Sequence, residues 1–516
     1  MTIEQILNFA RSQAAAGNLD QAAAAFERAA QLQPKDCNLL NDWGVCLAKQ
    51  GKLDRAISLF RRTLRNDAHW MAAHKNLIFA LVQQRKPAEA EAAARTWIEV
   101  ESNSVEAINQ FGSVLAANGR LIEAMDCWLR ALKIAPMDAD ANANLGRALG
   151  QLNRHEEAIA PLQQAVAARP DSVDFSCQLG SNFVHLHRYD QARSAFDRAL
   201  TIQPDHAVAR GKRALLALLT GDFATGWRDY EWRWKEKDFP HNRRYAHMPQ
   251  WTGSDIIGKT ILLHSEQGLG DSIQFVRYAR LVAQLGAKVV LQCQPELVSL
   301  LTKVQGVSEI VSDEQMPPRF DLQCPLMSLP LAFGTTVASI PATVPYLSAD
   351  AGIVERWRPR LAAVGKRKIG LVWAGRPTHR KDRARSIPLT AFAPLAALSD
   401  VLFFALQKGP AEAEARTPLA GMQLVSLGPD LKDFLDTAAV IEQLDLLISV
   451  DTAVVHLAGA MNKPVWTLLA DVNDFRWLRD RDDSPWYPSM RLWRQTAGGN
   501  WSNVIDRLAA ELKNRR

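Results

Sequence analysis

The stretch Phe111–Pro136, FGSVLAANGRLIEAMDCWLRALKIAP, holds the pattern on which the first half of the chain turns. Gly112 follows an aromatic residue, Ala124 stands four positions before Trp128, and Pro136 falls eight positions after it. Shifted in steps of 34 residues, the pattern returns: Phe26, Phe60, Ala94, Leu162 and Phe196 occupy the place of Trp128. Alanine precedes that place by four in all six units (Ala22, Ala56, Ala90, Ala124, Ala158, Ala192). Gly44, Gly146 and Gly180 repeat Gly112, preceded by Trp43, Leu145 and Leu179, and Pro34, Pro170 and Pro204 repeat Pro136. Ala68 and Ser102 replace proline in two units, and a less regular seventh unit runs through Gly221-Asp222-Phe223 to Tyr230. Small residues mark a close crossing of helices, and a proline marks the end of one.

This register resembles the tetratricopeptide repeat, a pair of antiparallel helices. One pair cannot bury its own apolar face, so neighbouring pairs stack into a superhelix. The resemblance implies an all-α tetratricopeptide array over residues 1–233 whose concave side holds an extended peptide or another protein. Propping up the second half, or self-association, is the alternative. Asn76, Asn109, Asn142 and Asn144 fall on first helices, as a ladder clamping a peptide backbone or as solvated polar residues.

A chain of 516 residues and 57.3 kDa exceeds one ordinary domain. Hydrophobic residues at 47% and charged residues at 22% exclude wholesale disorder. No stretch approaches the roughly 20 apolar residues of a membrane span, and Met1-Thr2-Ile3-Glu4-Gln5 lacks the start of a secretory signal. Six scattered cysteines without a C-x-x-C pair exclude a zinc ribbon and suit a reducing cytoplasm. A net charge of +6 is too mild to imply nucleic acid. The expected protein is cytoplasmic, without nucleic-acid partner or membrane span.

Residues 234–258, rich in aromatic, charged, Pro and Gly residues, read as a connector. Beyond them short apolar runs alternate with amphipathic ones. Strands are expected at Thr260–His264, Lys288–Leu291, Glu309–Val311, Lys368–Trp373, Val401–Leu406, Leu446–Val450 and Pro464–Leu469, with helices at Ser272–Leu285, Glu296–Val304 and Trp501–Lys513. That alternation means parallel sheets with right-handed crossovers. The pause near Pro341–Pro345 divides them into two Rossmann-like lobes, over residues 259–345 and 346–516. Ligands in such sheets lie beyond the carboxyl ends of the strands, so facing lobes place the active site in the cleft between them.

Three clusters fall at such ends. In Glu266-Gln267-Gly268-Leu269-Gly270-Asp271, Gly268 and Gly270 let backbone N–H groups approach a ligand. Asp271 is either a helix N-cap or a general base for an acceptor hydroxyl. In Ser449-Val450-Asp451-Thr452-Ala453-Val454-Val455-His456, N–H groups around Thr452–Val454 can cradle a diphosphate and Asp451 can fix the turn. His456 either donates to phosphate or is a core histidine. The loop Gly375–Arg385 carries five Lys/Arg against one Asp, a solvated run or the counter-charge of a leaving diphosphate, and Lys408 ends the next strand on the same side. The glycines do not form G-x-G-x-x-G, and no P-loop, H-E-x-x-H or G-x-S-x-G is present.

The runs GLGDSIQF (Gly268–Phe275) and DTAVVHLAGAMNKPV (Asp451–Val465) resemble the two hallmark loops of the heptosyltransferase family. Those are inverting, metal-independent glycosyltransferases of the GT-B fold that use nucleotide-diphosphate sugars. The resemblance implies Asp271 as catalytic base, Asp451, Thr452 and His456 at the donor diphosphate, and Arg385 as a phosphate contact, beside the Ala453 N–H and the Lys408 cation read from their positions. It implies no metal and no cofactor beyond the nucleotide-sugar co-substrate. An array followed by such a module is also similar in layout to the O-linked N-acetylglucosamine transferases and to bacterial flagellin glycosyltransferases, which implies a protein acceptor held by the repeats. A glycolipid or polysaccharide acceptor, an inactive scaffold and a nucleotide-sugar epimerase are the alternatives. The expected class is α plus α/β: the superhelix, then a GT-B module with its acceptor side in 259–345 and its donor side in 346–516.

Overall fold

The computed structural model describes the chain apart from residues 1, 237–238, 240–243, 380–381, 497–498 and 515–516. It divides into two compact units, Met1–Pro204 and Asp205–Arg516. The class is α plus α/β.

The first unit consists of six helical hairpins, from Ile3–Ala15 with Leu19–Leu32 to Val173–His185 with Tyr189–Ile202. The glycine and aromatic registers are two halves of one contact. A methyl group on Gly44 would lie 2.4 Å from the Phe60 ring, and one on Gly180 would lie 2.5 Å from Phe196. All six register alanines are completely buried. Asp36, Ser104, Asp138 and Ser172, also spaced in units of 34, cap first helices by accepting a backbone N–H.

Between the helices of each hairpin one residue is left-handed: Gly17, Gly51, Arg85, Gly119, Asn153 and His187. A side chain there strains the backbone. Replacing exposed Arg85 by glycine is expected to stabilise the array by about 0.5–1 kcal/mol, read as a higher melting temperature.

The asparagines serve two ends. Asn109 and Asn142 are buried. The Asn109 amide donates to Asp138 at 2.8 Å, and the Asn142 amide to the carbonyl oxygens of Pro136 and Asp138 at 3.0 and 2.9 Å. These two hold neighbouring turns together, leaving half-buried Asn76 and Asn144 for the surface.

The second unit opens with the helices Ala207–Leu219 and Phe223–Tyr230 and the 3-10 turn Glu231–Lys235. The seventh helix pair therefore belongs to the α/β unit. Two parallel sheets follow. The first contains β1 (Thr260–His264), β2 (Lys288–Cys293), β3 (Val307–Ser312) and β4 (Leu322–Pro325) in the order β3-β2-β1-β4. The second contains β5 (Arg367–Val372), β6 (Val401–Ala405), β7 (Leu424–Ser426), β8 (Leu446–Val450), β9 (Val465–Leu469) and β10 (Met490–Arg494) in the order β10-β9-β8-β5-β6-β7. The terminal helix Trp501–Asn514 buries Val504, Ile505, Leu508 and Leu512 in the second lobe's own core.

β4, β7 and β10 and the helix Ala351–Trp357 were not among the expected elements. β4 and β7 are only 4 and 3 residues long, and in β10 Arg491 and Arg494 interrupt the apolar run. Among the described residues, no helix is long and apolar enough to cross a membrane.

Candidate functional site

Both sheets change direction at the strand that begins them. In the first, the chain leaves β1 for β2 and β3 on one side and β4 on the other. In the second, it leaves β5 for β6 and β7 and returns to β8. Crevices form at such points because adjacent loops diverge, and the segments after β1, β5 and β8 all line one cleft of about 1160 Å³. The structure thus brings together Gly268, Gly270, Asp271, Arg385, Lys408, Asp451, Thr452, Ala453 and His456.

On the first-lobe side, Gly268 is the N-cap of the helix Leu269–Phe275, and Asp271 stands at its third position. This corrects the N-cap reading of Asp271. Its Oδ2 accepts the Gly268 N–H at 2.8 Å, which starts the helix three residues before the apolar pattern does. Its Oδ1 is ion-paired with Arg476, from the loop after β9. Burial raises the Asp271 carboxyl above the usual carboxylate range, opposed by the Arg476 guanidinium. Gly270 serves packing: a methyl group there would lie 2.9 Å from the His456 ring and 3.4 Å from Ala453.

The loop before Asp271 is held from behind. Buried Glu266 takes a two-pronged contact from Arg233, Nε and Nη2 each at 2.9 Å, and the Gln267 amide donates to the Tyr230 hydroxyl at 2.8 Å. Trp227 packs edge-on against Phe275 and Phe475. These anchors come from the seventh helix pair and the turn after it.

On the second-lobe side, Thr452 precedes the helix Ala453–Ala460, whose first N–H groups have no partner within the helix. The Arg385 guanidinium donates to the Asp451 carbonyl at 2.8 Å and pairs with Asp382 at 3.3 Å, which fixes the basic loop against the turn. Arg380 and Lys381, also counted in that loop, lie outside the described residues. Lys408 spends two of its N–H groups on the carbonyls of Gly428 and Leu431, at 3.0 and 2.8 Å, and so braces a loop at the cleft wall.

His456 is buried, bonded through Nδ1 to the Tyr487 hydroxyl at 3.0 Å and stacked on Trp477. Burial, with the Arg476 guanidinium nearby, pushes its imidazole down to about 3. It is a neutral ring with its Nδ1 fixed.

The Trp477 indole donates to the Asp451 carboxylate at 2.9 Å. Burial and the Asp474 carboxylate push Asp451 up to about 6 against Trp477, Arg385 and Arg476. A carboxyl raised in the folded state favours folding while protonated, and that contribution is lost as pH rises from about 4 to about 6. Asp451→Asn keeps the acceptor for Trp477. It is expected to stabilise the protein at pH 7.5 by on the order of 1–2 kcal/mol. The gain disappears near pH 4 in thermal unfolding.

The residues that sequence reading missed, Asp474, Arg476 and Trp477, form one run after β9, at a carboxyl strand end like the others. That position was the available signal. Among the described residues, no group of three or more His, Cys, Asp or Glu side chains gathers as a metal site.

Comparison with known proteins finds matching segments in both halves. Residues 7–69, 109–173 and 177–226 match the tetratricopeptide repeat. Residues 397–496, from β6 through β10, match glycosyltransferase family 9 (heptosyltransferase). The chain carries tetratricopeptide repeats followed by a glycosyltransferase family 9 domain; Asp271 and Arg385 lie outside the matched segment. It is 27% identical over 331 residues to Protein FlbA of Caulobacter vibrioides, covering 60% of this chain and 55% of that protein. The chain thus spans about half the length of that curated relative. Among solved structures it is similar to a tetratricopeptide repeat protein from Parabacteroides merdae, at 14% identity and a TM-score of 0.38 over 47% of this chain and 94% of that one. It is also similar to YrrB, a tetratricopeptide repeat protein with an unusual peptide-binding site, at 21% identity and a TM-score of 0.28 over 36% of this chain and 97% of that one.

Proposed function

We propose that this chain, with its repeats and its glycosyltransferase family 9 domain, is an inverting glycosyltransferase of the GT-B type. In this reading it moves a sugar from a nucleotide-diphosphate donor to a protein acceptor recruited by the repeats. One observation carries it: Asp271 from the first lobe and the Thr452–His456 turn from the second line a single cleft at the carboxyl ends of both sheets.

The donor diphosphate lies over the N-terminus of the helix Ala453–Ala460, where N–H groups and the helix dipole favour an anion. Arg385 and His456 Nε2 supply further donors, and no metal is called for. The acceptor hydroxyl oxygen attacks the anomeric carbon opposite the diphosphate. Its proton passes to Asp271 as the carbon–oxygen bond to the diphosphate breaks, and the diphosphate leaves with the electron pair. Attack from the opposite face inverts the anomeric centre.

A side-chain register supports acceptor binding by the repeats. Asn8, Asp42, Asn76, Gln110, Asn144 and Gln178, 34 residues apart, put one acidic or amide side chain at the same place on the first helix of each of the six hairpins. Such groups can bond an extended backbone without reading its side chains.

His456→Ala tests the donor site. Losing one positioned donor to a charged group costs about 1.5–3 kcal/mol, so affinity for the preferred nucleoside diphosphate should fall about tenfold or more by calorimetry. Unchanged affinity in a folded variant overturns this placement.

A further inference from the structure

Among the described residues three arginines are buried in the second unit, and their donors are used differently. Arg233 spends all five N–H groups: on Glu266 twice, on the Tyr230 carbonyl at 3.0 Å, on Glu231 at 2.7 Å and on Ser328 at 2.9 Å. Arg277 spends four, on the carbonyls of Gln274, Pro341 and Trp486 and on the Tyr346 hydroxyl, away from the cleft. Arg476 lines the cleft and spends three: Nε on Gln274 and Nη1 on Asp474, each at 2.7 Å, and Nη2 on Asp271. One N–H on each terminal nitrogen has no partner among the described residues. A guanidinium with two spare donors at the wall of a cleft is built for an added anion.

The charges around it sharpen the point. Asp271, Asp451 and Asp474 all line this cleft, and Arg476 is the cation that Asp271 and Asp474 share. An entering diphosphate meets three carboxylates, and its own charge competes for the guanidinium. Asp474 lies two residues before Arg476 and accepts its backbone N–H as well as Nη1, whereas Asp271 reaches it from the other lobe. Asp271 is therefore the partner that gives way. Gly268 N–H still holds its Oδ2, so the carboxylate stays in place with Oδ1 open to the acceptor hydroxyl.

We propose that Arg476 binds the donor diphosphate by exchanging it for Asp271, so that donor binding uncovers the base. This rests on the reading above that the donor diphosphate occupies this cleft. The competition is reciprocal: whatever weakens the pair with Asp271 strengthens binding of the diphosphate by the same factor.

The test is a double-mutant cycle read by calorimetry on the full chain with UDP, GDP, ADP and CDP as probes. For the nucleotide that binds best, Asp271→Asn should tighten affinity at least about fivefold. Arg476→Gln should weaken it about tenfold or more. In the Arg476→Gln background, Asp271→Asn should bring no gain. An equal gain in both backgrounds would reduce Asp271 to simple repulsion of the ligand, and no gain in either would remove the exchange; both outcomes overturn the proposal. If Arg476→Gln does not fold, Arg476→Lys replaces it in the same cycle. Lysine keeps the charge but cannot span Asp271, Asp474 and Gln274, so the gain should again vanish. A wild-type chain that binds none of the four nucleotides contradicts the donor-site reading itself, whereas binding without coupling contradicts only the exchange.

Discussion

Replacing Asp271 with asparagine is expected to lower sugar transfer by at least about 100-fold without weakening nucleoside diphosphate binding. The effect is large because an acceptor hydroxyl is a poor nucleophile at neutral pH, and a positioned carboxylate that takes its proton contributes about 10²–10⁴-fold. Asparagine keeps the size of the side chain and an oxygen for the Gly268 N–H, so the helix start survives. It cannot accept the proton. Asp271→Ala instead removes the backbone contact and should cost about 1 kcal/mol of stability as well. Steady-state kinetics with melting curves on both variants separates the two roles. Near-normal turnover in folded Asp271→Asn leaves Asp271 as a helix-start residue alone.

The second large effect concerns the boundary of the catalytic unit. A chain of residues 205–516 is expected to fold, whereas one of residues 234–516 is not. The shorter chain lacks Trp227 and Tyr230, both buried, and leaves the Glu266 carboxylate without Arg233. Removing one member of a buried ion pair costs about 3–5 kcal/mol, a large share of the 5–15 kcal/mol by which domains are stable. Arg233→Met in the full chain isolates that contribution. Glu266 is already raised by burial and restrained by Arg233, so without the guanidinium it takes up a proton on folding or resists folding. Denaturant unfolding gives the cost. A stable, soluble 234–516 chain contradicts the assignment of the seventh helix pair to the catalytic unit.

The legible parts of the sequence were those governed by repetition or by strand-end chemistry. The 34-residue register is visible because each glycine answers one bulky residue across a helix crossing, as Gly44 answers Phe60. β1, β8 and β9 stood out as apolar runs because they are buried strands of parallel sheets. Asp271 and His456 stood out because a short apolar run turns directly into a helix beside each.

Other features depend on tertiary pairing that leaves no local trace. Arg476 meets Asp271 across 205 positions of sequence. Arg233 looked like the last residue of a fading repeat, yet its guanidinium organises a loop 33 positions away. Gly270 read as a ligand-facing glycine, whereas its missing side chain lets the two lobes approach. The cap at Gly268 was obscured because glycine carries no capping side chain, and the Asp271 carboxylate at the third helical position instead reaches back to the Gly268 N–H.

The most direct test of the account is the intact mass of a protein that copurifies with the full chain, measured after incubation with each of several nucleotide sugars. The account predicts that one donor adds the mass of a single glycosyl residue and releases nucleoside diphosphate, and that both changes disappear with Asp271→Asn. Consumption of the nucleotide sugar at the same rate without the partner, or an unchanged partner mass with every donor, would contradict it.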